Sequence, residues 1–298
     1  MIEGRIIKAL SGFYYVKATN HILYQCRARG LFKKKGISPL VGDWVTIEEI
    51  ENEGHITNEG YITQIHSRYS ELIRPPIANI DLAVVVFSLA DPKPSLTLLD
   101  KFLAHIEYAH VNAMIVLTKL DLVEMDRTIT DPFKSYQKMG YPVVYTSVKS
   151  GEGLSVLSDY LTGHISVLCG QSGVGKSSIL NALIPDLNLD TSSVSMKLGR
   201  GKHTTRHVEL IPLPQDGFVA DAPGFSQLEF ADMEIEDLSL CFREIKTYVP
   251  QCKFRGCLHR KEPNCAVKRA VEKGDILESR YENYLQFIEE IKEKRRRY

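Results

Sequence analysis

No apolar run in this 298-residue sequence approaches the roughly 20 residues that cross a bilayer as a helix. The opening decapeptide, MIEGRIIKAL, has neither the basic start nor the long apolar stretch of a secretory signal. The expectation is therefore a cytoplasmic chain with no membrane partner. Excess charge of either sign is also missing, because 37 Lys and Arg balance 37 Asp and Glu. That excludes a protein-wide basic field, so a nucleic-acid partner would have to be met by local patches. Cysteine is scarce at six residues; these would permit a disulfide framework in a short secreted chain, but in a cytosolic one the clustering of three within fourteen residues points elsewhere. Internal repeats and low-complexity stretches are lacking as well, which excludes solenoids and biased disordered tracts. What remains, 44% hydrophobic and 25% charged, is an ordinary globular composition in a chain long enough for two or three domains.

Residues 1–72 alternate short β-type runs with turn signals: GFYYVKA, HILYQCRA, GDWVTIEEI and GYITQIHS. Several short strands in so few residues predict a small closed barrel. Strand number favours the oligonucleotide-binding (OB) type, with an SH3-like barrel as the alternative. The loop RARGLFKKKG puts Arg27, Arg29, Lys33, Lys34, Lys35 and Phe32 where such a barrel can meet a phosphate backbone. A solvated hairpin tip is the competing reading. A second basic cluster is Lys197, Arg200, Lys202 and Arg206, and a third is the tail KEKRRRY.

Consecutive prolines in Arg74-Pro75-Pro76 punctuate the end of this region. The composition then changes to near-continuous apolar runs, IDLAVVVFSL, NAMIVLTKLDL, YPVVYTS and HISVLCG, as expected of strands buried on both faces of a mostly parallel sheet. Between them, Leu96, Leu99, Phe102, Leu103 and Ile106 share one helical face that Ser95 can cap. Alternating strands and helices over residues 73–230 predict a doubly wound α/β domain. From 231 to 298 the pattern turns helical, with Ile235, Leu238, Phe242, Ile245 and Val249 in register. A last helix is expected to start at DILE, where Asp275 and Glu278 have capping-box spacing. Gly274 suits the turn before it.

The stretch Gly170, Gln171, Ser172, Gly173, Val174, Gly175, Lys176, Ser177, Ser178 satisfies G-x-x-x-x-G-K-[ST], with an apolar run before it and a helical pattern after it. Glycines let backbone N–H groups turn inward around phosphate oxygens, and the following helix adds the field of its positive end. Lys176 would reach the β- and γ-phosphates, and the Ser177 hydroxyl would ligate magnesium. A phosphate loop does not choose the base. The tetrapeptide Thr118, Lys119, Leu120, Asp121 ends another apolar run and can do so. An aspartate there accepts from the ring N1–H and the exocyclic amine of guanine, donors that adenine does not match. Lys119 would lay its aliphatic stem over the base, and Ser147 and Lys149 of TSVK fall where a loop near guanine O6 belongs.

Asp221-Ala222-Pro223-Gly224 closes the run GFVA as D-x-x-G. Asp221 would hold magnesium through water, and the Gly224 N–H would meet the γ-phosphate. The segment GRGKHTTRH before it is short of apolar anchors, as a nucleotide-sensing switch requires. Thr205, with Thr204 as the alternative, is the candidate second hydroxyl for magnesium. Finally, Cys252, Cys257, His259 and Cys265 form C-x4-C-x-H-x5-C, three thiolates and an imidazole suited to one closed, structural zinc site. Lys253, Arg255, Arg260 and Lys261 can offset its residual negative charge. Cys26, Cys169 and Cys241 sit in apolar patterns as packing residues.

The motif order TKLD, TSVK, GQSGVGKS, HTT, DAPG resembles the circularly permuted, small-ribosomal-subunit-dependent GTPases of the RsgA (YjeQ/YloQ) type, over nearly the whole chain. The resemblance implies GTP as substrate with Mg2+, and a zinc-bearing C-terminal domain. It further implies that barrel and zinc domain grip the 30S subunit and its 16S rRNA. The chain is expected to be a monomer that hydrolyses GTP in late small-subunit maturation, stimulated by the ribosome. The alternative is a GTP-regulated RNA-binding switch whose hydrolysis only drives release; a P-loop ATPase or kinase is a weaker third. Two departures stand out. Most GTPases have Asn where Thr118 stands, and its loss is expected to weaken the bracing of base loop against phosphate loop. Phe225 replaces the Gln that orients attacking water in many GTPases, which implies slow intrinsic turnover. His203 is the internal candidate to position that water or take its proton; an RNA or solvent contact is the alternative role.

Overall fold

A computed structural model describes the chain except for residues 31, 33–35, 51–57, 74–75, 124–126, 185–186, 188, 190–207, 222–229, 231–232 and 296–298; the side chains of 73, 127–130 and 221 are also outside it. The first strands are β1 (Ile2–Leu10), β2 (Phe13–Ala18), β3 (Leu23–Ala28), β4 (Trp44–Ile50), β5 (Asn58–Ile65), β6 (Glu71–Ile73), β7 (Pro76–Ala78) and β8 (Leu82–Ser88). Strands and helices then alternate as α1 (Leu96–Tyr108), β9 (Asn112–Thr118), α2 (Arg127–Lys138), β10 (Val143–Tyr145), α3 (Leu154–Leu161), β11 (Ile165–Cys169) and α4 (Lys176–Leu183). After β12 (Glu209–Pro212) and β13 (Phe218–Asp221) come α5 (Ile235–Leu238), α6 (Arg243–Tyr248), α7 (Ala266–Glu272) and α8 (Glu278–Arg295). They divide between two compact units, one of residues 1–82, 154–168 and 176–225, the other of 83–153, 169–175 and 226–298.

In the first unit β1 to β5 close on themselves in the order β1-β2-β3-β5-β4, with β4 pairing back to β1. Only the β3–β5 contact of this ring is parallel. Five strands closed in this way are the OB arrangement rather than the SH3-like alternative. Alternation explains the closure: Val16, Tyr24, Cys26, Val45, Ile47 and Ile62 are buried, and their chain neighbours are more exposed except Thr46, which is buried where the β4–β5 register shifts. Each such side chain contributes about 1.5–3 kcal/mol by leaving water. The fifth strand, β1, escapes a period-2 reading because its register shifts between Ile6 and Lys8. Further along, Pro76 opens β7, so the proline pair marks a strand start as well as a boundary. The remaining strands run β11-β13-β12-β1, with β11 and β13 parallel and β12 antiparallel to both of its neighbours.

The second unit carries three strands in the order β10-β9-β8, with β9 and β10 parallel. Strand β8 is buried along its whole length and β9 at every residue after Asn112, which accounts for their unbroken apolar sequences. Ser95 caps α1, its hydroxyl accepting from Leu98 N–H at 3.3 Å, and Leu99, Phe102, Leu103 and Ile106 form the buried stripe. Two expectations for the C-terminal region are corrected. The register through Ile235 and Val249 is broken into α5, a 3-10 turn at Ser239–Cys241, α6 and a second turn at Val249–Gln251. The capping box at Asp275 does not form, because α8 starts only at Glu278, with Arg280 and Tyr281 N–H bonding to Leu277 O. Gly274 does take the left-handed conformation that ends α7, at φ 79°.

A buried polar cluster fastens α8 to α1. Asp100 accepts from Arg280 Nη1 (2.5 Å), Tyr136 Oη (2.5 Å) and Asn283 Nδ2 (2.6 Å). Arg280 reaches Glu244 through Nε (2.6 Å) and Nη2 (3.0 Å). Every charge here is paired and hydrogen-bonded, the condition under which ions tolerate burial. Phe242, Tyr284, Phe287 and Ile288 complete the apolar surroundings.

Candidate functional site

The phosphate loop begins where β11 ends. Gly170 adopts φ 141°, and a Cβ there would collide with the Val86 carbonyl oxygen, so only glycine lets the loop pass β8 at this distance. Gly173 and Gly175 also have positive φ, at 80° and 99°. Lys176, Ser177 and Ser178 open α4. Ser177 Oγ is buried without a hydrogen-bond partner among the described residues. An orphaned hydroxyl at this position fits a group that arrives with the nucleotide.

The candidate base-reading residues sit at the end of β9. Thr118 is buried and its hydroxyl donates to the carbonyl of Val174, inside the phosphate loop, at 2.5 Å. Losing an Asn amide is expected to weaken this bracing; here a threonine hydroxyl on the strand end reaches the loop directly. Lys119 takes a left-handed conformation (φ 61°), and its ammonium donates to the Asp91 carbonyl oxygen. Asp121 accepts from Ser147 Oγ at 2.6 Å. That hydrogen bond, with the charge of Lys149 assisting, holds the Asp121 carboxyl below the usual carboxylate range. Ser147 Oγ also accepts from Ser150 N–H, which fixes its loop. Leu120 is buried beneath the turn. Thr118, Lys119, Asp121, Ser147, Lys149 and residues 170–175 all belong to the second unit. Lys176, Ser177, Ser178 and Asp221 fall in the first.

Other expected site residues lie outside the described residues: His203, Thr204, Thr205, Gly224 and Phe225, the side chain of Asp221, and the cations Lys33 to Lys35, Lys197, Arg200, Lys202 and Arg206. Sequence reasoning missed Asp91 and Pro92. The first holds the Lys119 ammonium, and the second comes next to the open side of Gly173. Since Asp91 acts through its backbone, no motif could reveal it. The proline-rich turn after β8 was the one available signal.

The Cys/His residues converge. Cys252, Cys257, His259 and Cys265 have ligand atoms all within 4.8 Å of one another. Sulfur–sulfur distances are 3.9 Å for Cys252–Cys265 and 3.9 Å for Cys257–Cys265, and His259 Nδ1 lies 3.3 and 3.5 Å from the sulfurs of Cys265 and Cys252. A tetrahedral ion with bonds of about 2.3 Å to sulfur and about 2.0 Å to nitrogen needs edges of roughly 3.8 and 3.5 Å. The donors therefore fit a four-coordinate metal. Without one, burial pushes the Cys257 thiol up to about 12, with neighbouring sulfurs adding to the shift; a cation reverses that preference. Packing residues hold the loop from behind: Tyr281 Oη donates to His259 O (2.6 Å), Tyr284 Oη donates to Leu258 O (3.0 Å), and Glu262 accepts from Leu258 and Arg260 N–H. These second contacts were not legible in the ligand spacing.

A glycine-lined phosphate loop, braced by a TKLD turn that precedes it in sequence, is the arrangement of a P-loop GTPase with permuted motif order. Family comparison agrees: the RsgA GTPase family model matches residues 65–231, and the RsgA N-terminal domain model matches residues 3–62. The chain belongs to the RsgA GTPase family and is a GTP hydrolase. Proteins named small ribosomal subunit biogenesis GTPase RsgA from Bacillus cytotoxicus and Shouchella clausii are 53% and 50% identical to it, over 100% of both chains. The crystal structure of YloQ, described as a circularly permuted GTPase, is similar with TM-score 0.81 and 45% identity, covering 99% of this chain and 96% of that one. YjeQ from Thermotoga maritima is similar with TM-score 0.81 and 34% identity, covering 97% and 98%. Among the described residues no helix is long and apolar enough to cross a membrane.

Proposed function

We propose that this GTPase acts in the cytoplasm as a monomer on the small ribosomal subunit and its 16S rRNA, late in that subunit's maturation, and that the subunit stimulates its turnover. The relatives' shared name supports the choice of partner. The observation that carries the nucleotide reading is the Thr118-to-Val174 hydrogen bond, which ties the base-reading turn to the phosphate loop. Work is divided among an RNA-binding barrel (1–72), the permuted GTPase domain (73–230) and a helical zinc-binding domain (231–298).

In this reading Asp121, steadied by Ser147, accepts from guanine N1–H and the exocyclic amine, Lys119 covers the base, and Lys149 lies on the O6 side. Backbone N–H groups from Gly170 to Gly175 and the Lys176 ammonium take the phosphates. Ser177 and Thr205 would hold magnesium, with Asp221 acting through water; the ion supplies charge neutralisation at the β- and γ-phosphate oxygens. The Gly224 N–H marks the γ-phosphate. His203 orients the attacking water and accepts its proton, the role that Phe225 cannot fill. Cys252, Cys257, His259 and Cys265 would hold one zinc ion, structural because protein fills all four positions.

The test is GTP turnover by the full chain with and without purified small subunits, across salt concentration. Stimulation that falls as salt rises is expected, since phosphate contacts release counterions; a flat response overturns the proposal. In parallel, Asp121→Asn is expected to exchange guanine for xanthine nucleotides, and retained GTP preference would remove Asp121 from base recognition.

A further inference from the structure

Neither the nucleotide site nor the metal cluster accounts for one row of side chains on the outer face of the barrel. Arg27 of β3 pairs with Tyr61 of β5. On its other side, one residue before the Tyr14–Cys26 pair, Phe13 of β2 faces Arg27, whose guanidinium carbon lies 4.6 Å from the Phe13 ring centroid. The row therefore runs aromatic, cation, aromatic across three adjacent strands. Strand alternation turns Arg27 and Tyr61 outward, because their chain neighbours Cys26 and Ile62 are fully buried inside, and the half-buried Phe13 shares the side of its cross-strand neighbour Arg27. Tyr61 is 41% exposed. Nearby Arg29 is taken up by Glu48, whereas Arg27 makes no ion pair among the described residues and rests on Phe13. Tyr15 and Gln25, paired in the next outward row, add hydrogen-bonding groups beside it.

Two strand spacings separate Phe13 from Tyr61, roughly 10 Å. That is room for neighbouring bases splayed from a single strand, each with a π face to offer. A duplex hides those faces in its own stack and presents phosphates and groove edges instead. Arg27, with no ion pair among the described residues, suits the accompanying phosphate charge, and a guanidinium set over a ring is itself a stacking surface. We infer that Phe13, Arg27 and Tyr61 form a stacking platform for unpaired RNA bases. The inference rests on the small-subunit reading above and adds which barrel face is used and which state of the RNA it takes.

The experiment uses the full-length chain, its Tyr61→Ala, Tyr61→Trp and Arg27→Ala variants, and a labelled oligouridine of about a dozen nucleotides beside an RNA hairpin of equal charge. The wild type is expected to prefer oligouridine. Tyr61→Ala should weaken that binding about tenfold and Tyr61→Trp restore it. Arg27→Ala should weaken it comparably and lower the salt slope by about one. Guanine-nucleotide binding and thermal midpoint report whether each variant is folded, and Arg27→Ala keeps the test open should Tyr61→Ala fail to fold. Preference for the hairpin, or variants that bind oligouridine as the wild type does, overturns the platform. Purified small subunits are titrated in parallel: a wild type that does not bind them breaks the earlier reading. A wild type that binds subunits but not oligouridine overturns the platform alone, leaving a ribosomal protein or duplex RNA as the barrel's partner.

Discussion

Replacing Thr118 by valine preserves the side chain's shape and removes its only proton donor. The Val174 carbonyl would then lose a 2.5 Å partner at a position where Thr118 is only 3% exposed, so water cannot readily substitute. Leaving a buried acceptor unpaired costs about 1–3 kcal/mol. Part of that cost falls on global stability. The rest falls on the phosphate loop, which without its brace is held less often in the nucleotide-ready conformation; affinity then drops by the fraction lost. The expected result for Thr118→Val is release of a fluorescent GDP analogue about 5- to 30-fold faster, for about 1–2 kcal/mol expressed at the site. A lower urea midpoint should accompany it. Stopped-flow release and urea unfolding measure the two parts separately. Thr118→Ser, which keeps the hydroxyl, should recover most of both. Wild-type release and midpoint in Thr118→Val would refute the brace, as would a Thr118→Ser variant no better than Thr118→Val.

Two more outcomes follow from the geometry. Removing Ser147's hydroxyl with Ser147→Ala takes away the main cause of Asp121's lowered pKa. In the proposed role the carboxylate is the guanine acceptor, present above its pKa and lost as pH falls through it, so the variant should lose GDP affinity at higher pH than the wild type. Superimposable affinity curves on acidification would sink that assignment. Metal removal is the other: a strong chelator should strip one ion per chain, read by elemental analysis, and lower the thermal midpoint. GDP binding should survive, since no ligand of the cluster belongs to the nucleotide site; an unchanged midpoint would show that the cluster does not stabilise the fold.

The buried strands of the second unit were legible because strands covered on both faces need apolar residues throughout, which is why β8 and β9 read cleanly. Strand β1 was not, since its register shift and charged residues conceal the alternation. Helix α8 misled at its start: Asp275 and Glu278 have the spacing of a capping box, but the chain turns through Ile276, which is buried, and the helix begins later. The Cys/His cluster declared itself through residue type and spacing. Glu262, Tyr281 and Tyr284, which hold their loop, did not, because they touch its backbone and backbone contacts leave no motif.

The sequence by itself determined the motifs: the phosphate loop, the TKLD turn, the Cys/His cluster and the permuted order in which they come. Each of those depends on particular atoms at short, fixed separations along the chain. Only the tertiary structure decided how the permuted pieces support one another. Thr118 and Val174 are 56 positions apart, Asp100 and Arg280 are 180, and both pairs meet in hydrogen bonds. The row of Phe13, Arg27 and Tyr61 likewise exists only once three strands are in register. Contacts across such separations follow from strand order and helix packing, which no local pattern of residues can express.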